Sequence, residues 1–268
     1  MAEIGESEAA LRAADRQKDV FLATLAHELR NPLAPMRNAA KLIALQAPEV
    51  PQLQWASEVI ERQLQHMSRL LDDLLDISRI TRNTLELRKA RTDLAGIISA
   101  AIETSRPVID AREHKLTVSC PTESLVVDAD PTRLAQVFSN LLNNAAKYTA
   151  PRGRLQVTIT QEGGHARVSV ADNGEGIAAE QLTKIFELFV QLNAPGDSSQ
   201  DGLGIGLALA EHLVKSHGGT IEARSEGRGR GSEFVVRLPL IVDAPEDRAR
   251  ARKHSHNGCG LTANPHRG

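Results

Sequence analysis

The sequence predicts a helical hairpin followed by an α/β domain whose mixed sheet is covered by helices on one face. In the first third of the 268-residue chain, apolar residues recur at steps of three and four, the period of an amphipathic helix. From about residue 86 the pattern changes to short alternating strands interleaved with helices, which favours one layered sheet. We therefore expect two domains, 1–86 and 87–242. The remaining residues, 243–268, are rich in Pro, Arg, His and Gly without periodicity and are predicted to be a disordered tail.

The first domain is predicted to contain two long helices. Pro48 and Pro51 interrupt the pattern, since prolines this close together disfavour a continuous helix. The second helix carries an apolar seam of nearly heptad spacing. One hairpin buries little apolar surface, so we expect two hairpins to pair as a four-helix bundle in a homodimer. A monomeric hairpin packed on the second domain is the structural alternative.

A histidine on the first helix is predicted to face solvent. His27 projects about 165° from the centre of the apolar stripe at 3.6 residues per turn. Glu28 is its neighbour, and Asn31 follows one turn later on the same exposed face. Taken alone, the pattern also fits an ordinary surface histidine, and Asn31 could merely suit the backbone before Pro32.

The second domain is predicted to alternate strands and helices. Helices are expected at about 94–113, 131–148, 179–187 and 204–217. A glycine-rich turn, Gly227–Gly231, is expected to join the last two strands. The predicted strands are Leu116–Cys120, Leu125–Asp128, Leu155–Ile159, Ala166–Val170, Thr220–Ala223 and Phe234–Leu238.

One predicted helix presents a polar face suited to a metal-bound phosphate chain. Asn140, Asn144 and Lys147 are spaced by four and three, so they share this face. An amide oxygen is a hard neutral ligand for Mg²⁺, and a lysine supplies a point charge to phosphates. A polar surface of an ordinary helix would explain any one of these residues.

Two glycine-rich segments add to this pattern. Asp172–Ile177 directly follows a predicted strand, where a carboxylate can accept a hydrogen bond from an adenine amine and glycines let backbone approach a ring. Gly202–Gly206 runs into a helix, whose N-terminal N–H groups favour an anion. Its spacing matches neither the Walker loop nor the dinucleotide-binding fingerprint.

Bulk properties exclude several classes of protein. The net charge of −2 gives no electrostatic basis for nucleic-acid binding. Two distant cysteines argue against a disulfide scaffold. No apolar run reaches the roughly 18–20 residues of a membrane span. We therefore expect a cytoplasmic chain with no membrane segment and no nucleic-acid partner.

Five motifs, in their order along the chain, resemble the catalytic core of a two-component sensor histidine kinase. They are His27-Glu-Leu-Arg-Asn-Pro-Leu33, the Asn-rich helix 140–148, Asp172-Asn-Gly-Glu-Gly176, Phe186-Glu-Leu-Phe189 and Gly202-Leu-Gly-Ile-Gly206. The resemblance implies a dimerisation and histidine-phosphotransfer hairpin followed by a Bergerat-type ATP-binding domain. The second part alone is also similar to the ATPase cores of DNA gyrase and its relatives, which lack a hairpin with such a histidine.

The resemblance implies a role for each matching residue. His27 would accept the γ-phosphoryl group of ATP and pass it to an aspartate of a response regulator receiver domain. Glu28 is the candidate base, and Asn31 matches the position that supports phosphatase activity toward that regulator. Asn144 would bind Mg²⁺ and Asp172 would read adenine. The other residues of the implied ATP site are Asn140, Lys147, Tyr148, Gly174, Gly176, Ile177, Gly202, Leu203, Gly204 and Gly206.

The family normally carries an input domain before the first helix, so we expect an upstream sensor domain to be missing from this chain. Two other interpretations stay open. One is a degenerate ATP-binding scaffold of the same fold. The other is a non-catalytic dimeric coiled-coil adaptor.

Overall fold

The computed structural model describes residues 33–45 except 34 and 44, then 50–81, 85–188, 190 and 204–241. These residues fall into two compact units that divide the chain between Glu86 and Leu87, except that the short stretch before Gly206 groups with the first unit. Among the described helices, none combines the length and the apolarity that crossing a membrane would require.

In the described part of the first unit, the chain forms helices α1 (residues 35–43) and α2 (Pro51–Thr81). Pro51 lies at the start of α2, where the missing N–H of proline costs no intrahelical hydrogen bond. The Ser57 hydroxyl donates to the carbonyl of Ala40 at 2.8 Å and ties α2 to α1. The core of this unit is a leucine cluster formed by Leu33, Leu64, Leu71 and Leu75, with Leu74 packed against it.

The second unit alternates strands and helices, as the sequence predicts. Its helices are α3 (Leu94–Ala111), α4 (Pro131–Lys147) and α5 (Gly206–Ser216). Its strands are β1 (Ala90–Asp93), β2 (Lys115–Ser119), β3 (Val126–Ala129), β4 (Arg154–Glu162), β5 (His165–Asp172), β6 (Thr220–Arg224) and β7 (Ser232–Pro239).

A five-stranded sheet organises this unit. The strand order is β2-β4-β5-β7-β6, in which β2 and β4 are parallel and the other pairs are antiparallel. Every second residue along the central strands is buried, which is the two-residue period of a sheet with one covered face. The predicted helical region followed by an α/β domain with a mixed sheet is therefore confirmed. The buried residues of this face are Leu155, Val157, Ile159, Ala166, Val168, Val170, Phe234, Val236 and Leu238, and on the opposite face of the central strands Ser169 and Val235 are buried as well.

The opposite face of the sheet is covered by paired charges. Arg167 bridges Glu162 at 3.3 Å and Glu233 at 2.8 Å, and Arg237 pairs with Glu222. Burial alone would raise the pKa of Glu233, but hydrogen bonds from Ser169 and Arg167 outweigh it and lower that pKa. This face is thus internally neutralised, and the candidate site lies elsewhere.

A buried histidine joins the start of α4 to the end of α5. His217 Nδ1 lies 2.7 Å from the Leu213 carbonyl, and its Nε2 accepts from the backbone N–H of Asp130 at 3.0 Å. Burial lowers the pKa of His217, with the nearby Lys89 charge adding to the effect, so the ring stays neutral and keeps both contacts. The Asp130 carboxylate also caps α4 by accepting from the N–H groups of Thr132 and Arg133.

Two local predictions were wrong. The segment predicted as a helix over 179–187 forms two separate 3₁₀ turns, Ala179–Gln181 and Lys184–Phe186. Ile185 is buried and the Phe186 ring packs edge-on against Phe234, which draws the chain into tighter turns than an α-helix permits. The prediction also lacked β1, which has no alternating pattern and forms only by pairing antiparallel with β3.

Candidate nucleotide-binding site

The polar face of α4 carries the first group of predicted site residues. Asn140 and Asn144 are half-buried. The amide nitrogen of Asn140 donates to the carbonyl of Gly206 at 3.3 Å, so this side chain ties the middle of α4 to the first residue of α5. A methyl group added at Gly206 would contact the same Asn140 amide at 3.5 Å. The structure thus brings together two of the residues that the sequence assigned to the phosphate side.

Side chains from outside α4 cap its C-terminal end. Arg112 Nη1 donates to the carbonyl of Lys147 at 2.7 Å and lies 3.3 Å from that of Thr149. His114 Nε2 lies 2.9 Å from the carbonyl of Ala146. A positive charge here also suits the negative end of the helix dipole. Arg112 and His114 lie in the turn after α3. The residue spacing within α4 therefore could not predict that these two side chains cap the helix.

Lys147 and Tyr148 lie together at this end of α4. The Lys147 ammonium group is 5.3 Å from the centroid of the Tyr148 ring, within the range of a cation–π contact. Burial raises the pKa of Tyr148, and the charge of Glu175 adds to that rise. The phenol therefore stays protonated at neutral pH and can donate a hydrogen bond.

Asp172 ends β5, and three protein donors hold its carboxylate. Oδ1 accepts from the N–H of Gly174 at 2.8 Å and from the N–H of Ser232 at 3.3 Å. Oδ2 accepts from the hydroxyl of Ser232 at 2.5 Å. These contacts fix the orientation of the carboxylate before any ligand arrives. Ser232 was not among the predicted site residues, because it lies on β7, 60 residues further along the chain.

Two positions after Asp172 have room only for glycine, because neighbouring backbone lies too close for a Cβ atom. A Cβ atom at Gly174 would lie 2.2 Å from the Tyr148 carbonyl oxygen, and one at Gly176 would lie 2.1 Å from that of Gly227. Gly176 also has a φ of +67°, which side chains rarely adopt. The sequence argument assigned these glycines to close approach of a ligand, whereas the contacts found here are with the protein itself.

The turn between β6 and β7, residues 227–231, packs against the loop formed by residues 172–177. The N–H of Gly229 donates to the carbonyl of Glu175 at 2.5 Å, and the N–H of Gly231 donates to that of Gly174 at 3.1 Å. Arg228 and Arg230 of this turn are exposed. The turn was expected only to join two strands, so its contact with the Asp172 loop is a finding of the structure.

Several predicted site residues lie outside the described residues. They are His27, Glu28, Asn31, Gly202 and Leu203. Gly204 is described and has a φ of +68°, a left-handed conformation that favours glycine just before α5. Among the described residues, no three or more His, Cys, Asp and Glu side chains are grouped as a metal site.

The fold and this site define an ATPase-type domain, as comparison with known proteins shows. Residues 129–242 match the family described as Histidine kinase-, DNA gyrase B-, and HSP90-like ATPase. Residues 17–83, which include His27, match the His Kinase A (phospho-acceptor) domain.

Curated relatives share both parts. Sensor histidine kinase ZraS of Escherichia coli K12 is 33% identical over 220 residues, which cover 82% of this chain and 45% of ZraS. Circadian input-output histidine kinase CikA of Synechococcus elongatus is 32% identical over 261 residues, covering 92% of this chain and 33% of CikA. The chain therefore spans less than half the length of these relatives.

Solved structures agree with this assignment. Full-length ShkA in complex with AMPPNP superposes with a TM-score of 0.69 at 29% identity, over 83% of this chain and 46% of ShkA. Histidine kinase AdeS of Acinetobacter baumannii has a TM-score of 0.57 at 21% identity, over 81% of this chain and 98% of AdeS, a likeness of fold alone. The chain belongs to the sensor histidine kinase family.

Proposed function

We propose that this chain is the catalytic core of a sensor histidine kinase that transfers the γ-phosphoryl group of ATP to His27. The observation that carries the proposal is the fixed carboxylate of Asp172 beside Gly174, in a domain of the ATPase family preceded by a phospho-acceptor domain. A coiled-coil adaptor does not need a carboxylate held in this way. A degenerate ATP-binding scaffold would keep it and is distinguished by the absence of phosphoryl transfer to His27.

Asp172 is the proposed reader of the adenine base. Its carboxylate accepts from Gly174 and Ser232, which sets its direction, and a carboxylate has further lone pairs to accept from the exocyclic amine of adenine. Because the protein donors are already in place, binding does not have to order this group. Gly174, Gly176 and Ile177 would form the adjoining wall of the base site.

The phosphate side is proposed to lie along α4 and the start of α5. Lys147 supplies positive charge, Tyr148 donates from a protonated phenol, and the glycines before α5 present backbone N–H groups to an anion. Asn140 acts by tying α4 to α5. The other residues proposed here are Gly202, Leu203, Gly204 and Gly206.

Asn144 is the proposed protein ligand of Mg²⁺. It is a half-buried amide on the same face of α4 as Asn140 and Lys147, and an amide oxygen suits a cation shared mainly with substrate phosphates. The bound cation would neutralise charge on the phosphates.

His27 is the proposed nucleophile. A ring nitrogen of the neutral imidazole forms a bond to the γ-phosphorus, the bond from phosphorus to the bridging oxygen breaks, and ADP leaves. Glu28 takes the proton from the other ring nitrogen. The phosphoryl group then passes from His27 to an aspartate carboxylate of a response regulator receiver domain. In-line positioning and charge neutralisation do most of the work in such transfers.

A homodimer through the helical hairpin is the proposed assembly. Leu53, Ile60 and Met67 follow one another at seven-residue steps along α2 and are 41%, 39% and 42% exposed in the single chain. The leucine cluster of the hairpin uses a different set of residues. An exposed seam with heptad spacing is the surface that a second hairpin would cover.

The full chain should therefore sediment as a dimer at concentrations on the order of tens of micromolar. Ile60→Glu should shift it toward monomer, because a charge would be buried at the centre of the seam. Gln63→Glu, at an exposed polar position on α2, is the matched control and should leave the dimer unchanged. A monomeric wild-type chain under these conditions would contradict the bundle.

His27→Gln should abolish covalent labelling from γ-labelled ATP while ADP affinity stays close to that of the wild type, since acceptor and nucleotide are assigned to different domains. The wild-type label should be acid-labile and alkali-stable, as expected of phosphohistidine. His66→Gln on α2 is the matched control and should keep the label. Substantial labelling of His27→Gln would overturn the assignment of the acceptor.

Phosphatase activity toward the phosphorylated regulator is the second proposed activity, and it depends on Asn31. Its amide can hold a water in line with the phosphoryl group on the regulator. Asn31→Ala should keep much of its autophosphorylation and lose dephosphorylation of the regulator. Asn38→Ala, at an exposed asparagine of α1, is the matched control and should keep both. If Asn31→Ala lowers both activities in parallel, or neither, Asn31 is structural and the phosphatase proposal fails.

A further inference from the structure

Ser225 links the loop after Asp172 to the turn between β6 and β7. It directly follows β6 and is half-buried. Its hydroxyl oxygen accepts from the N–H of Ile177 at 2.9 Å and lies 3.3 Å from the N–H of Gly227. Its proton is donated to the carbonyl of Gly231 at 2.7 Å. A hydroxyl has one proton and two lone pairs, so these contacts use its full capacity.

The contacts of Ser225 fall at both ends of the same turn. Gly227 begins the turn and Gly231 ends it, while Ile177 is the last residue of the Asp172 loop. The hydroxyl of Ser232 does not serve in its place, because it is already bonded to Asp172. Removing the Ser225 hydroxyl would leave the Ile177 N–H without this acceptor and release the Gly231 carbonyl.

Gly231 connects Ser225 to the carboxylate of Asp172. Its N–H donates to the Gly174 carbonyl at 3.1 Å, and the next residue, Ser232, makes two contacts with Asp172. A Cβ atom at Gly231 would lie 2.1 Å from the Asp172 carbonyl oxygen, so the two strands approach closely at this point. The position of Gly231 therefore determines where Ser232 can hold the carboxylate.

We propose that Ser225 is a positioning residue for base recognition, which holds the Asp172 loop and the β6–β7 turn together so that the Asp172 carboxylate faces the adenine amine. This inference rests on the proposed function of Asp172. In this proposal Ser225 acts through its contacts with Ile177 and Gly231 and is assigned no contact with the nucleotide. Substitution of Ser225 should therefore reduce the discrimination between adenine and other bases.

The test compares ADP with inosine diphosphate, which carries an oxygen in place of the adenine amine, by calorimetric titration of the full chain. Ser225→Ala should lower ADP affinity by about tenfold, the loss typical of a hydrogen bond whose partner stays buried, and should reduce the preference for ADP over inosine diphosphate. Ser225→Thr keeps the hydroxyl and should show the wild-type affinity for ADP and the wild-type preference for ADP over inosine diphosphate. Ser225→Cys, a weak donor and acceptor, should fall between them and serves if the alanine variant does not fold.

Ser169→Ala is the matched control. Ser169 lies on the same sheet, its hydroxyl makes a 2.5 Å hydrogen bond to Glu233, and it faces the charged side away from the site. This variant should keep the wild-type preference even if its unfolding temperature falls. An unchanged preference in Ser225→Ala and Ser225→Cys, whether or not overall affinity drops, would overturn the inference. A wild-type chain that binds ADP without preferring it over inosine diphosphate would instead contradict the adenine role of Asp172.

Discussion

The carboxylate of Asp172 accepts hydrogen bonds from Gly174 and Ser232, and the remainder of the candidate site depends on these contacts. A carboxylate at the end of a strand can point in several directions, and only donors on both sides hold it in one. Gly174 supplies a donor from the same loop, and Ser232 supplies two from the neighbouring strand. The glycines of the loop leave no room for a Cβ atom, because the backbone of Tyr148 and Gly227 packs directly against them. The base would therefore be read by a preorganised group, which reduces the entropy lost on binding.

The helices of the second unit are held in register by polar contacts as well as by the apolar core. Asp130 caps α4, and its N–H donates to the neutral ring of His217 at the end of α5. Asn140 makes the second link, from the middle of α4 to Gly206 at the start of α5. Protonation of His217 would remove the acceptor for Asp130, and burial, which lowers the pKa of His217, favours the neutral ring that keeps this contact. Helix α5 is thus tied to α4 at both of its ends.

Sequence patterns predicted most elements of this fold, because those elements leave a local signal, whereas β1 has no alternating pattern and was missed. A two-residue period marks the central strands, a polar face marks α4, and an Asp-Asn-Gly segment after a strand marks the loop at Asp172. Arg112, Ser225 and Ser232 left no such signal, since each acts on a segment distant in sequence that only the strand order and helix packing bring close. The prediction of a helix over 179–187 was wrong for a related reason. Its conformation is set by the contact between Phe186 and Phe234, a tertiary interaction that overrides local helical preference.

Titration of Asp172→Asn with ADP tests the central claim most directly. The amide keeps the shape of the side chain but replaces one acceptor oxygen with a donor, which must then face either Ser232 or the adenine amine. The account predicts a loss of about 1–3 kcal/mol in ADP binding, with less loss for inosine diphosphate, whose oxygen can accept from the new amide. Wild-type affinity for ADP in a folded Asp172→Asn variant would contradict the account.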